Sequence, residues 1–136
     1  CFDDDDICKI YFMKWQEINQ EKEFRIFVYN NNITAISSQN IYKINDWLNS
    51  LDDNYIKSII NKILNYYNDC IKDKMSYMEN YTMDLALIGP DEKPYFIEPN
   101  PFGKNYSSGS ALFQWIIDHD KLHDSSSIEL RYTSTL

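Results

Sequence analysis

The sequence predicts an α+β fold in which an antiparallel sheet of β-hairpins packs against one main amphipathic helix. Two observations predict the sheet, because residues 23–37 and 81–98 each contain two β-rich runs separated by residues that favour turns. A third observation predicts the helix, since apolar residues recur at helical spacing over residues 54–71. With 136 residues, the chain is long enough for a single domain with one core, spanning residues 1–136.

The residues before the first hairpin are predicted to form an acidic loop and a short strand. Residues 3–6 are four consecutive aspartates, and such runs are usually solvated, so we place a loop at residues 1–9. Residues 10–15 form a short apolar run typical of a strand. Residues 125–136 are predicted to be a polar tail.

The first hairpin consists of residues 23–29 and residues 33–37. Both runs are apolar or alternate between apolar and polar residues, a pattern typical of β-strands. The residues between them are Asn30, Asn31 and Asn32, and asparagine tolerates the positive φ angles of tight turns. The pattern therefore predicts two antiparallel strands.

The main helix is predicted over residues 54–71. Asp52 or Asp53 can cap its amino terminus, because an aspartate side chain accepts hydrogen bonds from the free backbone N–H groups of the first turn. The apolar residues at helical spacing predict a stripe that packs into the core. They are Ile56, Ile59, Ile60, Ile63, Tyr67, Cys70 and Ile71.

The second hairpin brings polar side chains together. Its strand-like runs are residues 81–88 and 95–98, and pairing around the turn between them places Asp84 opposite Glu98 or Asn100. Because side chains two residues apart share a face of a strand, these three polar residues are predicted to crowd one surface. The residues predicted to pack on the opposite surface are Met83, Leu85, Leu87 and Ile97.

The crowded carboxylates predict a magnesium site. Two carboxylates that face each other across a hairpin repel, and neither strand supplies a facing lysine or arginine. A hard divalent cation prefers carboxylate and amide oxygens, and magnesium usually completes its shell with water and substrate phosphates. The predicted ligands are Asp84, Glu98 and Asn100, with a nucleotide as the substrate. The alternative is an acidic hairpin face that binds no ion.

Five phrases of the sequence support a more specific interpretation: MKWQEI, EFRIFVYNNNITAIS, MDLAL, YFIEPNPFG and ALFQW. Their order and spacing resemble those of the cell division cycle protein 123 family over about residues 10–115. The Glu-x-Asn-Pro element within the fourth phrase also resembles the last metal-binding strand of ATP-grasp proteins. The resemblance implies the carboxy-terminal half of an ATP-grasp-like fold. It further implies a protein that binds ATP and Mg²⁺ and assists the assembly of translation initiation factor 2, with the gamma subunit of that factor as its partner.

The resemblance also implies roles for individual residues. Asp84 and Glu98 match the acidic metal ligands of the family, Asn100 matches the amide ligand, and Arg25 matches an arginine that reaches the nucleotide phosphates. Arg25 also lies mid-strand among apolar neighbours, where an unpaired charge is costly, so an anionic partner is expected. The alternative for Arg25 is a buried ion pair with a core carboxylate. We expect Asp84→Ala and Glu98→Ala each to abolish ATP binding without unfolding the domain.

Two other functions are consistent with the same residues. An ATP-dependent carboxylate–amine ligase would use the same ligands, with Lys104 or Arg131 binding the acceptor carboxylate. A truncated, non-catalytic copy would act as an interaction protein. His119 and His123 lie four residues apart, as in some metal sites, although no third soft ligand accompanies them.

Composition excludes several kinds of partner. A net charge of −8 argues against nucleic acid, because phosphate backbones are bound by an excess of Lys and Arg. No apolar run approaches the about 20 residues that span a bilayer, so we expect no membrane partner and a cytoplasmic location. The cysteines, Cys1, Cys8 and Cys70, are odd in number, widely spaced and not in a CxxC pair, so they predict neither a disulfide framework nor a zinc site.

Overall fold

The computed structural model describes residues 18–106 and 109–136, so the acidic loop and the strand predicted at residues 10–15 lie outside the described residues. The described residues form a five-stranded sheet in the order β4-β3-β1-β2-β5. Neighbouring strands are antiparallel except for β2 and β5, which are parallel. The strands are β1 (Glu23–Tyr29), β2 (Asn32–Ser38), β3 (Tyr81–Ile88), β4 (Lys93–Asn100) and β5 (Glu129–Arg131).

The helices are α1 (Asp46–Ser50), α2 (Asp53–Tyr66) and α3 (His119–Leu122), and α2 continues into a π-helical turn at Tyr67–Ile71. The Asp52 side chain accepts a hydrogen bond from the backbone N–H of Tyr55 at 2.7 Å, which confirms the predicted cap of α2. In the described part of the chain, no helix has the length and apolar character needed to cross a bilayer.

The first hairpin turns at Asn30 and Asn31, whose φ angles are 50° and 58°. Two consecutive residues with positive φ are typical of the two-residue turn that matches the natural twist of paired strands. The predicted hairpin is therefore confirmed. A shift in register between Phe27 and Val28 adds a β-bulge to this strand pair.

The second hairpin pairs Asp84 directly with Glu98, as the sequence predicts. A second bulge follows, since Leu85 pairs with Phe96 and leaves Ile97 as the extra residue. Phe96 is therefore buried in the core and Ile97 is only partly buried. The prediction that Ile97 packs with Leu85 is wrong, because a one-residue bulge changes which side chain points to the core.

The two faces of the sheet carry different clusters. One face packs against Ile59 and Ile63 of α2 and forms the main core. The other face carries a smaller aromatic cluster, which we call the aromatic face. The aromatic face consists of Phe27, Ala35, Phe102, Phe113, Trp115 and Leu122. The α+β fold and the sheet packed against one main helix are thus confirmed.

The carboxy-terminal third differs most from the sequence predictions. Residues 111–117 form irregular turns from which the Phe113 side chain is fully buried. The predicted polar tail contains β5, which adds a parallel strand to a sheet predicted to be antiparallel. The sequence also predicts no disulfide framework, whereas Cys70 is disulfide-bonded.

Candidate functional site

A buried ion pair joins the two central strands of the sheet. Arg25 of β1 and Asp84 of β3 are partners in the strand register. The Arg25 Nε and Nη2 atoms donate to the two carboxylate oxygens of Asp84 at 2.9 and 3.0 Å. Only 12% of the Arg25 side chain and 5% of the Asp84 side chain are exposed. This two-bond geometry is the strongest form of an arginine–carboxylate contact, so both side chains are held in place.

Strand β4 adds two polar side chains to this pair. Glu98 lies directly opposite Asp84 in the register, and its side chain is exposed at the edge of the sheet. The Asn100 Nδ2 atom donates to Asp84 Oδ2 at 3.3 Å, which leaves the Asn100 amide oxygen available to a ligand. The structure therefore brings together Arg25, Asp84, Glu98 and Asn100, all four of the residues that the sequence predicts.

A loop covers the arginine on this face. Arg25 Nη1 donates to the backbone carbonyl of Gly109 at 2.6 Å. Three residues further on, the backbone N–H of Leu112 donates to Ser37 Oγ at 3.0 Å, and Ser37 is the β2 partner of Arg25. The segment from Gly109 to Leu112 is thus anchored across β1 and β2 beside the ion pair.

Glu23 is a site residue that sequence reasoning missed. It lies two residues before Arg25 on β1 and therefore on the same face. Burial raises the pKa of Glu23 above its ordinary value, and the negative charges of Asp84 and Glu98 raise it further against the opposing effect of Arg25. Its spacing from Arg25 is the signal that could have identified it.

The site has more negative than positive charge. Glu23, Asp84 and Glu98 face one arginine, and the repulsion from Asp84 and Glu98 adds to the effect of burial in raising the pKa of Glu23. Oxygen donors are the ligands that magnesium prefers, although both Asp84 oxygens already accept hydrogen bonds. Among the described residues, no group of three or more His, Cys, Asp or Glu side chains is arranged to hold a metal by itself. The donor set fits a magnesium ion that takes its remaining ligands from water and phosphate.

A cavity of about 470 Å³ opens on the aromatic face. It is lined by residues of the loop after β4 and of the segment that leads into α3: Phe102, Gly103, Lys104, Asn105, Trp115, Ile116, His119 and His123. Arg131 of β5 anchors the segment that leads into α3, because its two terminal nitrogens donate to the Asp118 carboxylate at 2.9 Å each. The guanidinium also lies 4.1 Å from the centre of the Phe113 ring.

Comparison with known proteins places this geometry in context. The model of the D123 family matches residues 5–135. A protein of Candida albicans named translation initiation factor eIF2 assembly protein is 33% identical over 122 residues, which cover 85% of this chain and 32% of that protein. A protein of the same name in Dictyostelium discoideum is 32% identical over 102 residues, covering 75% of this chain and 24% of that protein. The chain thus spans about a third or less of the length of these relatives.

Solved structures show the same fold. C-terminally truncated Cdc123 from Schizosaccharomyces pombe matches with a TM-score of 0.64 at 20% identity, over 85% of this chain and 42% of that chain. A second structure of Cdc123 from the same organism matches with a TM-score of 0.52 at 18% identity, over 85% and 43%. The described sheet and helices are therefore an arrangement already seen in solved proteins.

Proposed function

Because the chain belongs to the D123 family, we propose that it forms the metal-binding part of a protein that binds ATP and Mg²⁺ and acts in the assembly of translation initiation factor 2. The observation that carries the proposal is the placement of Glu98 and Asn100 beside the Arg25–Asp84 pair on one face of the sheet. The relatives named for eIF2 assembly support the biological role. The gamma subunit of the factor is the proposed partner, and a cytoplasmic location goes with this role.

The chain's own residues divide the work of binding. Glu98 presents an exposed carboxylate and Asn100 an amide oxygen, while Arg25 holds the Asp84 carboxylate in a fixed orientation between them. Arg25 Nη1 currently donates to a neutral carbonyl of Gly109, and a phosphate oxygen is a stronger acceptor for the same N–H group. Bound magnesium supplies positive charge that offsets the negative charge of the phosphates.

The excess of carboxylates supports a cation at this position. Glu23 is partly buried close to Asp84 and Glu98, and the like charges work against its ionisation. A divalent cation between the strands would relieve this repulsion. The charge balance therefore favours the magnesium site over a bare acidic hairpin.

The ligase alternative finds less support in the structure. A ligase needs a basic residue for the acceptor carboxylate near Arg25, and the sequence offers Lys104 and Arg131. The Arg131 guanidinium is committed to Asp118 and Glu129. Lys104 lines the aromatic cavity with Trp115. The positions of Lys104 and Arg131 therefore give no support to ligase chemistry over nucleotide binding.

Calorimetric titration of the full-length protein with ATP, with and without Mg²⁺, tests the proposal. We expect binding only with Mg²⁺, and Glu98→Gln should lower the affinity by about tenfold or more because it removes an ionised ligand. Asp91→Asn is the matched control, since Asp91 is an exposed carboxylate in the turn of the same hairpin. Unchanged affinity in Glu98→Gln, or an equal loss in Asp91→Asn, would refute the metal site.

The proposed partner calls for a separate measurement. The full-length protein should bind the purified gamma subunit of translation initiation factor 2 in a pull-down or by interferometry, and ATP with Mg²⁺ should strengthen that binding. Glu98→Gln should remove the effect of ATP. Binding that is absent with and without ATP would exclude the gamma subunit as the partner. The metal site is tested separately, by the calorimetric titration.

A further inference from the structure

A short strap of irregular chain, residues 109–112, crosses Arg25 on the face of the sheet that carries the carboxylates. At its first residue, the Gly109 carbonyl accepts a hydrogen bond from Arg25 Nη1 at 2.6 Å. At its last residue, the Leu112 backbone N–H donates to Ser37 Oγ at 3.0 Å, and Ser37 is fully buried. These two bonds hold the strap against β1 and β2, and only 12% of the Arg25 side chain is exposed with the strap in place.

The strap contains a strained residue. The φ angle of Ala111 is 51°, which lies in the left-handed region that residues with a β-carbon rarely adopt. A residue in this conformation stays there only when the surrounding contacts hold it. Opening the strap relieves the strain, so the closed position depends on the hydrogen bonds to Arg25 and Ser37.

The carboxyl end of the strap is joined to a firmly packed residue. Phe113 is fully buried, and its ring lies 5.3 Å from the Phe27 ring, measured between centroids. The Arg131 guanidinium lies 4.1 Å from the centre of the Phe113 ring, and Arg131 Nη1 donates to the Leu112 carbonyl at 3.3 Å. The strap can therefore swing about Phe113 while the aromatic face stays packed.

The Gly109 carbonyl and a phosphate oxygen compete for the same N–H group. Arg25 Nε and Nη2 both donate to Asp84, so Nη1 is the guanidinium nitrogen that does not bond to this carboxylate. A carbonyl oxygen and a phosphate oxygen both carry negative charge, and they repel each other when they crowd one donor. The phosphate is the stronger acceptor because both partners of the bond are then charged. Its binding should therefore displace the Gly109 carbonyl.

We propose that residues 109–112 are an autoinhibitory strap, which covers Arg25 in the free protein and is released when an anionic oxygen takes its place on Nη1. This inference rests on the proposed function, because the anion is the nucleotide phosphate. The measured affinity for ATP then equals the intrinsic affinity reduced by the fraction of molecules in which the strap is open. Substitutions that loosen the strap should strengthen binding, and substitutions that tighten it should weaken binding.

Calorimetric titration of the full-length protein with ATP and Mg²⁺ tests the strap through two substitutions with opposite effects. Ser37→Ala removes the acceptor of the Leu112 N–H, so the affinity for ATP should rise about threefold or more. Ala111→Gly removes the steric penalty of a positive φ, so it should tighten the strap and lower the affinity about threefold. Ser38→Ala is the matched control, because Ser38 is equally buried in β2 but points to the opposite face, and it should leave the affinity unchanged.

Hydrogen exchange of the Leu112 amide measures the strap directly, with and without nucleotide. In the absence of nucleotide, this amide should exchange faster in Ser37→Ala and more slowly in Ala111→Gly than in the unmodified protein. Addition of ATP and Mg²⁺ to the unmodified protein should make the exchange faster, because the strap opens.

Slower exchange of the Leu112 amide on addition of ATP would overturn the inference, because the strap would then close on the nucleotide. Unchanged ATP affinity in both Ser37→Ala and Ala111→Gly would also overturn it, whereas loss of binding in Glu98→Gln would still uphold the proposed function. If Ser37→Ala unfolds the protein because its bond to the Ser38 carbonyl is lost, Ala111→Gly decides alone. An unmodified protein that binds no ATP would refute both the proposed function and the strap.

Discussion

Arg25 donates two hydrogen bonds to the two oxygens of Asp84, and both side chains are largely buried between adjacent strands. The sequence predicts an anionic partner for Arg25 and leaves two alternatives, a nucleotide phosphate or a core carboxylate. The carboxylate that it meets is itself a predicted metal ligand. The ion pair is therefore part of the candidate site. A change to either residue should affect both the stability of the fold and the binding of a ligand at the site.

Breaking this ion pair from either side should destabilise the fold. Arg25→Met or Asp84→Asn leaves one charge buried without its partner, which typically costs about 3–5 kcal/mol of unfolding free energy. The double variant should lose less than the sum of the two single losses, because neither charge remains. Urea unfolding of the four proteins followed by circular dichroism measures the coupling. Additive losses would contradict the ion pair.

The two single variants should also differ from each other. Arg25→Met leaves Glu23, Asp84 and Glu98 without a positive charge between them, so it should lose more stability than Asp84→Asn. Mg²⁺ should restore part of the loss in Arg25→Met by neutralising the same carboxylates. A series of urea midpoints with increasing MgCl₂ at constant ionic strength measures this rescue, and CaCl₂ and NaCl serve as ionic controls.

The ion pair also changes one expectation drawn from the sequence. Asp84→Ala was expected to abolish ATP binding without unfolding the domain, but Asp84 is only 4% exposed and neutralises Arg25. Loss of binding in that variant would therefore combine a missing ligand with a damaged fold. Glu98 is exposed and forms no such ion pair with any residue that the structure describes, so it is the cleaner test of metal binding.

Local pairing explains why most of the site could be predicted. Asp84, Glu98 and Asn100 lie on one hairpin, where the turn and the two-residue period of a strand determine which side chains share a face. Glu23 joins them only because β1 pairs with β3, and a long stretch of chain separates these strands. No local pattern determines the register of such a distant pair, so the spacing of Glu23 from Arg25 could indicate a shared face but not the closeness of Glu23 to Asp84.

The parts of the fold that were missed have different physical causes. The bulge at Ile97 depends on how Phe96 fits the core against Leu85, which is a packing property that strand periodicity does not contain. The strand β5 is only three residues long and owes its existence to the backbone of β2 beside it. Such tertiary contacts override local propensity.

Glu23→Gln should stabilise the protein at neutral pH. Because the folded-state pKa of Glu23 is raised, ionisation opposes folding above that pKa, and the cost disappears as the pH falls below 4.5, the ordinary value. The gain from Glu23→Gln should therefore be present at pH 7 and vanish at pH 4. Urea midpoints across this range measure it, with the exposed Glu79→Gln as control. A gain that is independent of pH would show that carboxylate charge is not the cause.

Asn31→Gly should stabilise the first hairpin by about 0.5 kcal/mol, since glycine adopts positive φ without steric cost and is the preferred second residue of this turn. Asn31→Val should cost about 1–2 kcal/mol, because a β-branched residue strongly disfavours φ near 58°. Asn32→Gly is the control, since Asn32 lies in β2 and glycine weakens a strand. Thermal unfolding measures the melting temperatures of the three variants, and that of Asn31→Gly should be the highest. A destabilised Asn31→Gly protein would argue against the turn.

The contact between Asp118 and Arg131 should stabilise the aromatic face in a way that depends on pH. The hydrogen bonds from Arg131 are the main reason that the pKa of Asp118 is lowered. A lowered carboxyl pKa stabilises the folded state above the ordinary value of 3.8, and this stabilisation is lost as the pH falls through the lowered pKa. Since 31% of the Arg131 side chain is exposed to solvent, we expect Asp118→Asn to cost about 1 kcal/mol at pH 7.

The stability of Asp118→Asn should approach that of the unmodified protein as the pH falls below 3.8 and through the lowered pKa of folded Asp118. Urea unfolding of both proteins, followed by circular dichroism across this pH range, measures the difference. Glu129→Gln is the matched control, because Glu129 contacts the same guanidinium through Nε but is 42% exposed, and its effect should be smaller. If the difference between Asp118→Asn and the unmodified protein persists unchanged down to pH 2, the two hydrogen bonds to Arg131 act through shape alone and not through the carboxylate charge.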